Sequence, residues 1–138
     1  MPDKYKYLLP LPDFETKEWW GALRWYELVF QRCTRCQTFR HPPQGTCPRC
    51  YSEDHEWIKV SGRGILYSYI TVWQPVLPQW RGDVPYNIVQ VTLEDAPNIK
   101  IIGNVIGVDN SRLTINMPLV AVFDDVTQED TILRWQPR

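Results

Sequence analysis

The chain has no run of about eighteen apolar residues that would cross a bilayer as a helix. Its first segment, Met1 to Pro12, has neither an apolar stretch nor a small-residue cleavage site. These absences predict a soluble, cytoplasmic protein with no membrane partner. A surplus of positive charge is also missing: the net charge is −1, and from Gly62 onward six basic residues stand against eight acidic ones. A body of that sign is poorly suited to tracking a phosphate backbone over a long stretch. There is no glycine-rich phosphate loop, and histidine is limited to His41 and His55. The adjacent carboxylates Glu94/Asp95 and Asp124/Asp125 fall in expected turns, where a solvated pair is commoner than a general acid and base. A free-standing enzyme is therefore the least supported class, since no nucleophile with a base and no open metal site can be named.

What is present is one core's worth of apolar residues. With 138 residues, seven of them tryptophan, the chain can build one hydrophobic core plus a small satellite unit too short to bury much by itself. All four cysteines lie between Cys33 and Cys50 as two pairs, CTRC (Cys33, Cys36) and CPRC (Cys47, Cys50). In a reducing compartment such pairs ligate metal rather than form disulfides. Each CxxC turn presents two thiolates from one knuckle, so two knuckles close a tetrahedral shell around one structural Zn2+, with no open position to activate water. Four ordinary buried cysteines and a redox couple are weaker alternatives, because two couples packed together compete as metal ligands. His41 can replace a thiolate in principle, but four thiolates already complete the shell, and His55 is weaker still. Around the knuckles Arg32, Arg35, Arg40 and Arg49 stand without a single carboxylate, a local cationic patch.

Along the chain, Met1 to Pro12 reads as an extended arm, since Pro2, Pro10 and Pro12 prevent a helix while Tyr5, Tyr7, Leu8 and Leu9 can lie on a neighbouring surface. Asp13 can cap a short helix over Phe14 to Trp25. Leu28 to Gln31 is a β-prone run leading into the first knuckle. Further strands are expected at Glu56–Val60, Gly64–Trp73, Tyr86–Glu94, Ile99–Ile106, Leu119–Phe123 and Thr131–Trp135. Between the second and third of these, Gln74 to Pro85 (QPVLPQWRGDVP) is too rich in proline to pair in a sheet interior and is expected to project as a loop. Five or six strands, with glycines at 62 and 64 suiting a bend in a long first strand, fit a small closed barrel of the OB type; a sandwich is the alternative.

The succession of a tryptophan-bearing helix, CTRC, Pro42-Pro43, CPRC, VSGRGILYSYITV, PYNIVQVTLED, IIGNVIGVD and LTINMPLVAVFDD resembles the zinc-ribbon/OB-fold family associated with acyl-CoA metabolism. The resemblance runs from about Phe14 to Trp135. It implies a mainly β fold: an N-terminal arm and short helix (1–30), a rubredoxin-like zinc ribbon (31–56) and a C-terminal OB-fold barrel (57–138). It also implies a non-catalytic accessory subunit that pairs with a thiolase-like, hydratase or aldolase enzyme and contributes to binding acyl-CoA. Carried over by position, the zinc ligands are Cys33, Cys36, Cys47 and Cys50. Where the family often has glycine, after each knuckle and before the final Met-Pro, this chain has Gln37, Tyr51 and Asn116; those departures bear on turn geometry rather than on the ligands.

For a CoA thioester, the candidate contacts are Arg32, Arg35, Arg40 and Arg49 for phosphates, with Trp73, Trp80 and Arg81 at the projecting loop for adenine or acyl chain. A solvated basic rim and a loop tip packed on its own barrel are the plainer reading of the same residues. Trp19, Trp20, Trp25 and Tyr26 offer more large rings than one short helix can bury, which suits a partner interface as well as it suits a cover for the barrel. A nucleic-acid-binding ribbon/OB module is the alternative function, with Lys59, Arg63 and Lys100 as sparse candidates for the strand-binding face.

Overall fold

The computed structural model describes residues 5–138, so the first four residues of the expected arm lie outside the described residues. One helix, α1 (Lys17–Arg24), is followed by eight strands: β1 (Val29–Cys33), β2 (Phe39–Arg40), β3 (His55–Lys59), β4 (Arg63–Val72), β5 (Tyr86–Leu93), β6 (Lys100–Gly103), β7 (Pro118–Asp125) and β8 (Thr131–Pro137). The helix is shorter than Phe14 to Trp25 because Asp13 organises a turn ahead of it. The Asp13 Oδ1 carboxylate accepts from the amides of Glu15 at 3.0 Å and Thr16 at 2.9 Å. Trp19 and Leu23, one turn apart, form its buried stripe. It stops at Tyr26, whose φ of 59° turns the chain left-handed while the Tyr26 and Glu27 amides bond back to Leu23 and Ala22.

Strands β2, β1 and β3 form a three-stranded antiparallel sheet, and β6-β5-β4-β7-β8 form a five-stranded one. The strand expected at Glu56–Val60 exists as β3, but it pairs with β1 over five residues from Val29↔Lys59 to Cys33↔His55 and so belongs to the ribbon sheet. A run of strand-forming residues does not say which neighbour it will pair with. The long β4 is broken by a bulge between Leu66 and Ser68; it pairs with β7 from Arg63 to Ile65 and with β5 from Gly64 to Val72. Strand β5 alternates strictly, sending Asn87, Val89, Val91 and Leu93 inward. The sheet closes where Val105 meets Trp135 in a parallel bridge. There the Ile106 amide donates to the Trp135 carbonyl at 2.8 Å, and the Trp135 amide to Asn104 at 2.9 Å. This closure makes the curled OB-type barrel rather than a sandwich.

A single buried cluster joins α1 (Trp19, Leu23), the ribbon (Leu28, Phe30) and the barrel (Leu66, Val89, Val91, Leu119, Trp135). Full burial of each large member stabilises the fold by roughly 2–3 kcal/mol relative to exposure. Asn87 is a polar member of the interior. Its amide donates to the Val105 carbonyl at 2.8 Å and its oxygen accepts from the Val105 amide at 2.7 Å, clipping the segment after β6 onto β5 just where the barrel closes.

Candidate metal centre and ligand groove

The two knuckles are near copies of each other. Gln37 and Tyr51 donate their amides to the carbonyls of Cys33 and Cys47 at 2.9 and 3.0 Å, and the Cys33 and Cys47 amides donate to Thr38 and Ser52 at 2.9 and 2.8 Å. Both turns end in a left-handed residue, Gln37 at φ 64° and Tyr51 at φ 65°. The four sulfurs all lie within 4.8 Å of one another, with Cys33–Cys50 and Cys36–Cys47 each at 3.6 Å. A tetrahedron with Zn–S bonds of about 2.3 Å has edges of about 3.8 Å, so the cluster has the dimensions of a zinc site. Backbone amides of Cys36 and Arg49 point at the sulfurs of Cys33 and Cys47 at 3.5 and 3.4 Å.

The thiols are also prepared to lose protons. Cys33 is held below its ordinary value, chiefly by the Cys36 amide; Cys36 is held down by the Thr38 hydroxyl and Cys47 by the Cys50 amide. Against the pull of the Ser52 amide, burial and the three neighbouring sulfurs push Cys50 up to about 11. The last proton therefore leaves readily only when a cation sits among the sulfurs, which couples metal binding to proton release.

The predicted arginines have separate fates. Arg32 is bound to Glu56 at 2.7 Å and lies over the Phe39 ring. Arg35 and Arg49 are exposed on the knuckles. Arg40 is only 2 % exposed, its Nε donating to Gln31 at 3.0 Å, so it is an interior residue of the ribbon rather than a cation facing solvent. The reason is its place on β2 opposite Gln31 of β1, on a face that the Gln44 segment covers. Strand β2, two residues long, was not legible in sequence. Trp19 is likewise corrected: at 8 % exposed it is core, packed edge-on against Trp20, which is half-buried. Trp25, 81 % exposed, and Tyr26, whose hydroxyl donates to Asp125, remain at the surface.

The projecting segment Gln74 to Pro85 contains a 3-10 helix, Pro78–Asp83, and the arm lies across it. Lys6 pairs with Asp83 at 2.6 Å and the Tyr7 ring meets Trp80 at 5.5 Å. Burial, followed by its bond to Asp83, raises the Tyr7 hydroxyl to about 12. Arm, loop and barrel enclose a groove of about 620 Å³, lined among others by Tyr7, Trp80, Tyr86, Ile88, Ile102 and Arg134. Trp80 is the one predicted contact that lines it; Trp73 and Arg81 are exposed outside it. Arg134 and Asp83 were missed in the sequence, where nothing distinguishes them from other surface charges. Arg134 donates to Asp124 at 2.6 Å and to Asn104 at 3.1 Å. A smaller groove of about 440 Å³ lies between Trp19, Trp20, the His41–Pro43 turn and β6. There burial holds the His41 imidazole down at about 4.

Two family models match this architecture consecutively: the ChsH2 rubredoxin-like zinc ribbon domain over residues 20–56, and the ChsH2 C-terminal OB-fold domain over residues 57–124. A DUF35 domain-containing scaffold protein of Methanocaldococcus jannaschii is 30% identical over 126 residues, covering 90% of this chain and 86% of that protein. The chain belongs to the DUF35 family. Its resemblance to that family extends to a chain of the Ltp2-ChsH2(DUF35) aldolase, with a TM-score of 0.83 at 31% identity over 93% of this chain and 98% of that one. A DUF35 protein from Sulfolobus solfataricus, at 13% identity and a TM-score of 0.64, shares the fold. The probable enoyl-CoA hydratase alpha subunit of Thermomonospora curvata is 32% identical over 97% of this chain. The 3-oxo-4,17-pregnadiene-20-carboxyl-CoA hydratase alpha subunit of Mycobacterium tuberculosis is 28% identical over 93%. This DUF35 chain spans only 41% and 39% of those two relatives. Among the described residues, no helix is long and apolar enough to cross a membrane.

Proposed function

We propose that the chain is a non-catalytic accessory subunit, acting in the cytoplasm, that docks on an acyl-CoA hydratase, aldolase or thiolase-superfamily enzyme and helps to hold the acyl-CoA thioester. The observation that carries this reading is the correspondence of ribbon and barrel together to 98% of the DUF35 chain of an aldolase. The hydratase alpha subunits support it from a second direction, because this chain aligns with a part of each and not with its whole length.

The groove under the arm supports the ligand-holding role. At about 620 Å³ it falls in the size range of small-molecule sites. Its charges are already paired within the chain, Lys6 with Asp83 and Arg134 with Asp124. What it offers a ligand is therefore an aromatic and aliphatic wall, suited to an acyl chain. Trp80 lines the groove and is the proposed contact of the acyl group.

The nucleic-acid alternative loses one of its sparse cations, since Lys59 lies on ribbon strand β3 and pairs with Glu27. The test is affinity capture of the full chain from its native lysate, with and without nuclease, with identification of what co-elutes. An acyl-CoA hydratase, aldolase or thiolase that survives nuclease is expected. Nucleic-acid-bound proteins that vanish with nuclease would overturn the reading.

A further inference from the structure

The outward face of β4, β5 and β6 carries apolar side chains that the described residues leave exposed. Register sets Ile70 opposite Ile88 and Ile102 opposite Gln90. Ile70 and Ile102 are 57 % and 66 % exposed, and Ile65 and Tyr67 are exposed beside them on β4. Ser68, Gln90 and Thr92 stand among them on the same face, so the surface is mixed, with several large apolar side chains gathered on it, as interaction surfaces are.

The face also has a sign. Alternation along the three strands brings Arg63 and Lys100 to it and no carboxylate, with the Lys100 ammonium 4.7 Å from the Tyr67 ring centroid. Among the described residues no ion pair includes Arg63 or Lys100. Of the barrel's acidic residues, Asp124 and Asp125 lie on β7 and Glu129 and Asp130 in the turn to β8, while Glu94 and Asp95 follow β5 at the edge of the face, where the Glu94 amide donates to the Arg63 carbonyl at 3.0 Å and the Glu94 carboxylate pairs with Arg138. Finally, the face runs into the groove, because Tyr86, Ile88 and Ile102 belong to both.

We propose that this sheet face is the surface on which the partner enzyme subunit docks, and that the partner presents an apolar patch bordered by carboxylates. The inference rests on the accessory-subunit reading and adds the place and chemistry of the contact. A second copy of this chain is a poor occupant: it would set the Arg63 and Lys100 cations of two copies against each other, and the Glu94 carboxylate at the edge of the face is already paired with Arg138. Single-stranded nucleic acid is disfavoured because two cations neutralise few phosphates. A subunit seated here closes the open side of the groove, so that the ligand is enclosed between two proteins.

The test uses the full chain with p-benzoylphenylalanine placed singly at Ile70, Ile102 or Trp25. The protein is irradiated in native lysate with and without nuclease, and the cross-linked peptides are sequenced. Positions 70 and 102 are expected to capture an acyl-CoA hydratase, aldolase or thiolase subunit in both lysates, and position 25 is not. With that subunit purified, Ile70→Glu should weaken binding about 30-fold and Lys100→Glu about tenfold, with zinc content and melting temperature unchanged. Capture of such an enzyme from position 25 alone would overturn the surface and leave the accessory-subunit reading standing. Cross-links to a second copy, or cross-links present only without nuclease, would overturn the surface in favour of self-association or nucleic acid. If no position captures an enzyme subunit, both readings fail.

Discussion

Among the described residues, four non-glycine residues hold left-handed backbone, including Gln37 (φ 64°), Tyr51 (φ 65°) and Asn116 (φ 71°). Left-handed backbone costs an ordinary residue about 1–2 kcal/mol. Glycine relieves that strain but gives back roughly 0.5–1 kcal/mol through the greater freedom of its unfolded chain. Tyr51 is exposed, so little packing is lost, and Tyr51→Gly should stabilise the protein by about 0.5–1 kcal/mol. For a chain of this size that is a rise in melting temperature of about 2–4 °C. Gln37→Gly relieves the same strain but removes the bond from Gln37 Nε2 to the Thr34 carbonyl at 3.0 Å, worth about 1 kcal/mol, so its net effect should be near zero. Asn116→Gly should also be near zero, because asparagine already tolerates this conformation. Thermal unfolding followed by circular dichroism, with zinc held in excess, reads all three. A fall of more than about 2 °C for Tyr51→Gly, or a rise for Gln37→Gly exceeding that for Tyr51→Gly, would refute the argument that strain outweighs entropy at the knuckles.

A Cβ at Gly64 would sit 2.5 Å from Val91 Cγ1 and 2.8 Å from the Thr92 carbonyl; Gly64→Ala should therefore destabilise by about 3 kcal/mol. Gly21→Ala, in the helix with nothing near its Cβ, should stabilise by about 0.5–1 kcal/mol, and equal melting temperatures for the two variants would contradict both. Elemental analysis should find one zinc per chain, lost in Cys47→Ser. Chelation should expose the amides of Cys33 to Asp54 to hydrogen exchange while β4 and β5 stay protected, because Leu28 and Phe30 anchor the ribbon in the barrel's core. Simultaneous loss of protection in both regions would show that the shared core couples the barrel to the metal and would refute the separate response. Because the folded His41 titrates at about 4, below its unfolded value of 6.5, protonation favours unfolding. Its contribution to stability is fully present above pH 6.5 and falls away as the pH drops towards 4. His41→Phe should flatten the stability profile across that window, and an unchanged slope in chemical denaturation would exclude His41 as its source.

Much of this was legible because it is local. The CxxC spacing needs no tertiary information to specify a four-sulfur cluster, since each knuckle sets two sulfurs by its own turn. The strict alternation of β5 and the proline content of Gln74–Pro85 likewise carried strand and loop directly. Gln37, Tyr51 and Asn116 were legible as residues that bear on turn geometry; that all three hold left-handed backbone was shown by the structure.

What the tertiary structure alone decided is which residues share a surface. Arg40 and Arg49 read identically as knuckle cations, yet pairing of a two-residue strand buries one and leaves the other exposed. Trp19 and Trp25 are both helix-segment aromatics, but the helix's rotation on the barrel assigns one to the core and one to solvent. The groove depends on Lys6 and Asp83 meeting across more than seventy residues of chain, and the apolar face depends on register between β4, β5 and β6. Spacing along the chain fixes ligands and periods; only the closure of the barrel determines which distant side chains become neighbours.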